Sequence, residues 1–218
     1  MSEPCIVDNM ILAMFVDADR SDLLHALAGG NIYVTPTIVD PLELPPFANP
    51  PLSEFARGLA QAEQNLDEPL FARRSRLRTQ FYAAQANGLW TPVELPEGEL
   101  RLAHTLTSAS VRAQVGQKDP TFKSRRVDPG EAECAAVAIT RGWTLWSDDQ
   151  AIVSLVRALH PHCNVERLCG LLVRVVAEGL IDCPDAAHLY NHVFKGELSL
   201  WSKLSLHCDR GVATCREP

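Results

Sequence analysis

An α/β fold with a central parallel sheet is predicted from three observations. Short β-prone apolar runs alternate along the chain with helical patterns, the arrangement that builds parallel sheets. One mid-chain helix, opening at Asp128, is apolar almost all round from Ala132 to Ile139, as buried helices are. The strand-like run that follows, Trp143-Thr-Leu-Trp-Ser147, ends on two adjacent aspartates, Asp148 and Asp149. Strand ends are where α/β folds place their chemistry.

Taken in order, Cys5-Ile-Val is a short apolar run ending at Asp8, and Met10 to Val16 suits a buried helix. Ser21 to Leu27 reads as a short amphipathic helix stopped by Gly29-Gly30, and Ile32 to Thr35 as a β-branched and aromatic strand. Between Pro41 and Pro51 five prolines in eleven residues end the first half of the core. Helices are predicted over residues 52–66, 69–89 and 98–115, so residues 46–125 are read as a helical insertion between core segments 1–45 and 126–218. Asp128, Pro129 and Glu131 then form a helix start with the spacing of a capping box. After the Asp-Asp strand, helices are expected over Ala151 to Leu159, Val165 to Glu178 with Gly179 as the stop, Asp185 to Phe194, and residues 197–207.

The chemistry rests on acids. Glu133 is a carboxylate in the second turn of an otherwise apolar helix, and a buried carboxylate needs a partner or a raised pKa. Asp8, Glu133 and the Asp148–Asp149 pair, brought together, would repel one another unless a divalent cation sat among them. Each has a plainer alternative. Asp8 caps a helix well, Glu133 could pair with Arg141, and the Asp-Asp pair could be a solvated turn. Glu131, two residues from Glu133, points nearly the opposite way and is assigned to the capping box. Successive strand residues face opposite sides, so one of Asp148 and Asp149 is expected to bind directly.

Val7-Asp8-Asn9, Gly130-Glu131-Ala132-Glu133 and Ser147-Asp148-Asp149, together with Tyr33 to Asp40 and Leu168 to Ile181, stand in a recognisable order. Over roughly residues 4–45 and 126–195 the chain resembles the PIN-domain ribonucleases, the family that includes the VapC toxins. It looks closest to members whose helix reads GEAE and whose next strand ends in DD. The resemblance implies a three-layer α/β/α sandwich and a Mg²⁺- or Mn²⁺-dependent endoribonuclease. It implies Asp8, Glu133, Asp148 and Asp149 as metal ligands and catalytic residues, supported by Asn9, Asp40, Glu131 and Ser147. Glu43 rivals Asp40 as the early second acid. An antitoxin peptide lying in the groove and a homodimer are further expectations, as are a stand-alone processing or defence nuclease, or a PIN-like interaction module with weakened catalysis.

Composition sets bounds on this reading. The chain has 218 residues, 46% hydrophobic and 22% charged, as ordinary globular proteins do. No apolar run approaches the roughly 20 residues that span a bilayer, and the N-terminus lacks a signal-peptide pattern. Seven cysteines without a secretion signal predict reduced thiols and a cytoplasmic location. His160, His162, Cys163 and Cys169, and again Cys183, His188 and His192, lack the paired spacings of structural zinc. A net charge of −7 does not advertise RNA binding, but it is unevenly spread. Residues 50–126 hold 11 Lys and Arg against 8 Asp and Glu, whereas the rest holds 9 against 19. Arg73, Arg74, Arg76 and Arg78, with Lys123, Arg125 and Arg126, are therefore the candidate RNA-phosphate contacts.

Overall fold

Five short parallel strands form the centre of the computed structural model, which describes residues 3–38, 54–118 and 126–217, with only the backbone of residues 54–58. They are β1 (Cys5–Val7), β2 (Ile32–Val34), β3 (Thr91–Pro92), β4 (Thr144–Trp146) and β5 (Val165–Glu166), in the order β3-β2-β1-β4-β5. β1 and β4 lie side by side with Cys5 opposite Thr144 and Val7 opposite Trp146. The chain leaves β1 toward one edge of the sheet and leaves β4 toward the other. Right-handed crossovers then place the intervening helices on opposite faces.

After β1 come α1 (Asn9–Asp17) and α2 (Ser21–Ala28), the latter closed by Gly29 in the left-handed region at φ 60°, the stop predicted from Gly29-Gly30. On the way to β4 and β5 lie α3 (Glu54–Gln64), α4 (Glu68–Ala86), α5 (Glu97–Leu106), α6 (Ala109–Lys118), α7 (Pro129–Arg141) and α8 (Gln150–Leu159). α7 opens on the predicted capping box, with Asp128 and Glu131 serving each other's backbone, and its buried face is mostly alanine, which lets it lie close to the sheet.

Within the stretch read from sequence as a helical insertion, described residues between 81 and 115 contribute to the core. β3 extends the sheet, with Val93 N–H donating to the Val34 carbonyl at 2.9 Å. Phe81, Trp90, Ala103, Leu106, Val111 and Val115 belong to the same hydrophobic core as the strands. The helix expected over 98–115 is two helices, broken at Thr107-Ser108, where the Ser108 hydroxyl accepts from Val111 N–H.

The C-terminal third departs most from expectation. α9 (Leu168–Ala177) starts after β5 rather than at Val165, and α10 (Cys183–His188) continues into a π-helical segment, Leu189–Glu197. The predicted helix over 197–207 is replaced by irregular chain and a hairpin, β6 (Ser205–Asp209) and β7 (Val212–Arg216). The hairpin turn, Arg210-Gly211, has both φ angles positive, 51° and 82°, the two-residue geometry that matches strand twist.

Two disulfides fasten this hairpin: Cys169–Cys215 ties β7 to α9, and Cys183–Cys208 ties β6 to α10. The expectation of seven reduced thiols is thereby corrected. Four of the seven cysteines pair, and a stretch read as helix hid that Cys208 and Cys215 face Cys183 and Cys169. Both prospective zinc groups lose a cysteine to these bonds. Among the described residues, no helix is long and apolar enough to cross a membrane.

Candidate active site at the carboxyl edge of the sheet

β1 and β4 are the strands at which the direction of winding reverses, and the crevice beyond their carboxyl ends is the expected ligand position in such a sheet. The turn leaving β1 carries no glycine, so a dinucleotide-type phosphate loop is absent there. The crevice holds acids instead. Asp8 follows β1 directly, is 1% exposed and caps α1, accepting from Ile11 N–H at 2.9 Å. The Ser147 hydroxyl, just past β4, donates to its other carboxylate oxygen. Asp8 is thus both the cap and a site acid, since the N-terminal end of a helix favours the ionised form.

Asp149 shares this arrangement. Its backbone N–H donates to the Ser147 hydroxyl at 3.3 Å, and its carboxylate accepts from Ala151 and Ile152 N–H at 2.6 and 3.2 Å, capping α8. Asp148 turns the other way. It accepts from Arg167 Nε at 3.0 Å and from Leu168 N–H at 3.3 Å, while its second oxygen is buried without a hydrogen-bond partner. Burial pushes its carboxyl above the ordinary range, opposed by the Arg167 guanidinium. Ser147 therefore links Asp8 to Asp149, and Arg167 holds Asp148 against the start of α9.

α7 brings two glutamates. The sequence reading put Glu133 at the site and Glu131 in the capping box. In the structure Glu131 closes the box, accepting from Asp128 N–H at 3.1 Å, and also lies close enough to Asp149 and Asp8 to feel both charges. Burial first, then the Asp149 carboxylate, push its carboxyl up to about 9. Glu133 faces the turn after β2, accepting from Thr37 Oγ1 at 2.5 Å and Thr37 N–H at 3.3 Å. Its sequence-stated alternative partner, Arg141, instead binds Glu99 at 2.7 and 2.8 Å. The physical reason for the double role of Glu131 is position. It stands in the first turn of a helix whose Cys134 thiol donates to the Val7 carbonyl, so that turn projects over the end of β1.

Two tests of fit to a divalent cation differ. The burial of Asp8 and Glu131 near Asp149, and the orphaned Asp148 oxygen, are what a bound cation would relieve. Yet among the described residues no three His, Cys, Asp or Glu side chains are grouped closely enough to hold one. Asp40 and Glu43, expected as an early second acid, lie outside the described residues. Asn9, expected in support, begins α1, and its Oδ1 is buried without a hydrogen-bond partner.

The basic residues are placed elsewhere. Arg73 binds Asp17 at 2.6 Å and Arg76 approaches it at 3.8 Å, where Asp17 ends α1. That is roughly 13 Å along the helix from Asp8. Arg78 lies over the Tyr82 ring, Arg126 is exposed, and Lys123 and Arg125 are outside the described residues. Sequence reasoning missed Thr37 and Arg167, because a lone threonine in a turn and an arginine before a helix carry no motif. It also missed the C-terminal wall of a cleft of about 480 Å³, lined by Met10, Asp148, Asp149, Arg167, Trp201 and Lys203 among others.

Comparison with models of known families, with curated proteins and with solved structures finds no match to this chain.

Proposed function

We propose that the chain is a Mg²⁺- or Mn²⁺-dependent endoribonuclease of the PIN type. The observation that carries this reading is the placement of Asp8 and Asp149, linked through Ser147, at the carboxyl ends of two adjacent strands where the winding reverses, with Glu131 within reach of both charges. Asp8, Asp149 and Glu131 would hold the ion, while Glu133 is engaged by Thr37. When bound, the ion would supply Lewis acidity and a more acidic water for attack on a phosphodiester.

The chain's own groups then have distinct tasks. Ser147 and the Ile11 amide fix the Asp8 carboxylate in one orientation, and the Ala151 and Ile152 amides do so for Asp149. α1 and α8 present their positive N-terminal ends toward this edge, which favours an approaching phosphate. Arg167 lines the cleft and holds Asp148 at its edge through its guanidinium.

A second reading, an interaction module with weakened catalysis, is favoured by the absence of a tight three-acid group among the described residues. The two disulfides weigh against the reducing cytoplasm first expected and toward an oxidising setting. The test is cleavage of single-stranded RNA. We expect cleavage with Mg²⁺ or Mn²⁺, none with chelator, and at least a hundredfold loss in Asp8→Asn. Cleavage that survives both chelation and Asp8→Asn would overturn the proposal, and a folded wild type that cleaves no RNA would favour the interaction module.

A further inference from the structure

The two histidine–cysteine groups in the sequence each lose a cysteine to a disulfide, yet one keeps its histidines together. His188 closes α10, and His192 lies four residues on, in the π-helical segment. Side chains four apart on a helix stand on one face. Here both are exposed, and their imidazoles stack at 5.2 Å between centroids with 29° between planes. The residues between them are turned to other uses. Leu189 and Tyr190 are buried, and the Asn191 side chain bonds both backbone groups of Leu206 in the hairpin. The outer face of this turn is left to the two imidazoles.

The donor set specifies the ligand. Imidazole pairs suit Cu²⁺, Ni²⁺ and Zn²⁺, whereas Mg²⁺ and Mn²⁺ prefer oxygen. Two histidines four apart on one helix face are the spacing with which helices hold such ions. The hydrolytic form of that spacing carries a glutamate next to the first histidine. Leu189 stands there instead, so no general base accompanies the pair. Among the described residues no three His, Cys, Asp or Glu side chains are grouped closely enough to hold an ion, so waters complete the shell around the two histidines. Turning the exposed rings about their side-chain torsions brings one nitrogen of each to a shared ion at about 2.0–2.1 Å.

The position gives the ion a task. The histidines straddle the junction at which α10 gives way to π-helical turns, a rare geometry found often at functional sites. From the same stretch Cys183 is bonded to Cys208, and Lys195 Nζ donates to the Leu204 carbonyl at 2.8 Å. An ion across the junction braces the chain on which the hairpin and residues 201–204, one wall of the acid cleft, are mounted. We infer that His188 and His192 form a two-histidine site for Cu²⁺, Ni²⁺ or Zn²⁺ that clamps α10 to the π-helical segment. The pair holds its ion whether or not the chain cleaves RNA.

The test titrates the full disulfide-bonded chain, carrying no histidine tag, with Ni²⁺ at pH 7.5 by calorimetry. Asp8→Asn is titrated in parallel, to remove any heat from the acids. Both should bind Ni²⁺ saturably. His188→Ala and His192→Ala should each weaken this binding about a hundredfold, as the loss of one of two linked ligands does. His162→Ala, an exposed histidine elsewhere, should leave it unchanged, and excess Mg²⁺ should leave Ni²⁺ bound. Saturating Ni²⁺ should raise the melting temperature of the wild type by several degrees and that of His188→Ala by little. Because both histidines are exposed, the metal-free variants should melt with the wild type. A folded wild type without saturable Ni²⁺ binding would overturn the site, as would affinity unchanged in both histidine variants. Binding that Asp8→Asn removes and His188→Ala keeps would assign the ion to the acids and likewise overturn it.

Discussion

The sheet has a cleft toward each of its ends, and the two treat charge in opposite ways. Toward the amino ends, about 380 Å³ is lined by Glu3, Cys5, Thr144, Asn164, Glu166 and Arg174 among others. There Arg174 binds Glu166 at 2.6 Å, reaches Glu178 at 3.3 Å and donates to the Leu27 carbonyl at 3.4 Å. Toward the carboxyl ends, Asp8, Asp149 and Glu131 share neutral hydroxyl and amide donors, and the nearby arginine is spent on Asp148. The same strands thus carry a cleft bridged by an arginine at one end and one whose acids are held by hydroxyl and amide donors at the other. Acids gathered at the reversal of winding mark that edge as the candidate site.

The largest effect is expected from the disulfides, because they hold the wall of only the carboxyl-end cleft. Closing loops of 46 and 25 residues, each stabilises by about 3–4 kcal/mol in the chain-entropy account. Replacing Cys208 and Cys215 with alanine should loosen the hairpin, seen as loss of amide-exchange protection in Asn191 and Leu206 while the β1 and β4 amides stay protected. Equal loss of protection at both ends of the sheet would contradict this division.

Next come the acids themselves. Glu166→Gln should destabilise by about 1 kcal/mol, since its ion pair with Arg174 is partly solvated. Glu131→Gln keeps the capping-box geometry and replaces a carboxyl that the fold must keep protonated, so in chelator at pH 8 it should melt at a higher temperature than wild type. Its RNA cleavage should nevertheless fall at least tenfold. Substitutions of the same sign at both ends would erase the contrast.

The contrast also has a pH signature. The Glu131 carboxyl ordinarily titrates near 4.5 and is raised to about 9 in the fold. The native state therefore holds a proton that the unfolded chain has released between those values. Its contribution to stability is complete below about 4.5 and is lost as pH rises toward about 9. Melting of the metal-free protein should fall across this window, and Glu131→Gln should flatten the decline. The smallest effect concerns thiols. Burial pushes the Cys5 thiol up to about 12, so native alkylation at pH 8 should reach the half-buried Cys163 slowly and leave Cys5 unmodified in mass spectra.

What the sequence discloses follows the reach of local signals. β1, α1, α2, α7, β4 and α8 carry their own caps, stops and apolar runs, and their positions are readable residue by residue. β3 and β5 have two residues each, too few for any periodicity, and are strands only because a neighbour offers hydrogen bonds. The hairpin is signalled by Leu206, Ala213 and Cys215 facing inward around Arg210-Gly211, a turn pair weaker than Asn-Gly. Its cysteines find partners 25 and 46 residues away, which spacing alone does not specify. At the site, Asp8, Ser147 and the Asp-Asp pair were legible because strand ends are. Which α7 glutamate meets them depends on how that helix sits across the sheet, a tertiary fact absent from the i, i+2 rule.

The central claim, that the acids at the carboxyl edge form a cation cage, is tested most directly by titrating the folded protein with Mn²⁺ at pH 7.5 without RNA and measuring unbound Mn²⁺ by electron paramagnetic resonance. The account predicts saturable binding that Asp8→Asn and Glu131→Gln both abolish and Glu166→Gln leaves intact. No saturable Mn²⁺ binding by the folded wild type, or binding indifferent to Asp8→Asn, would contradict it.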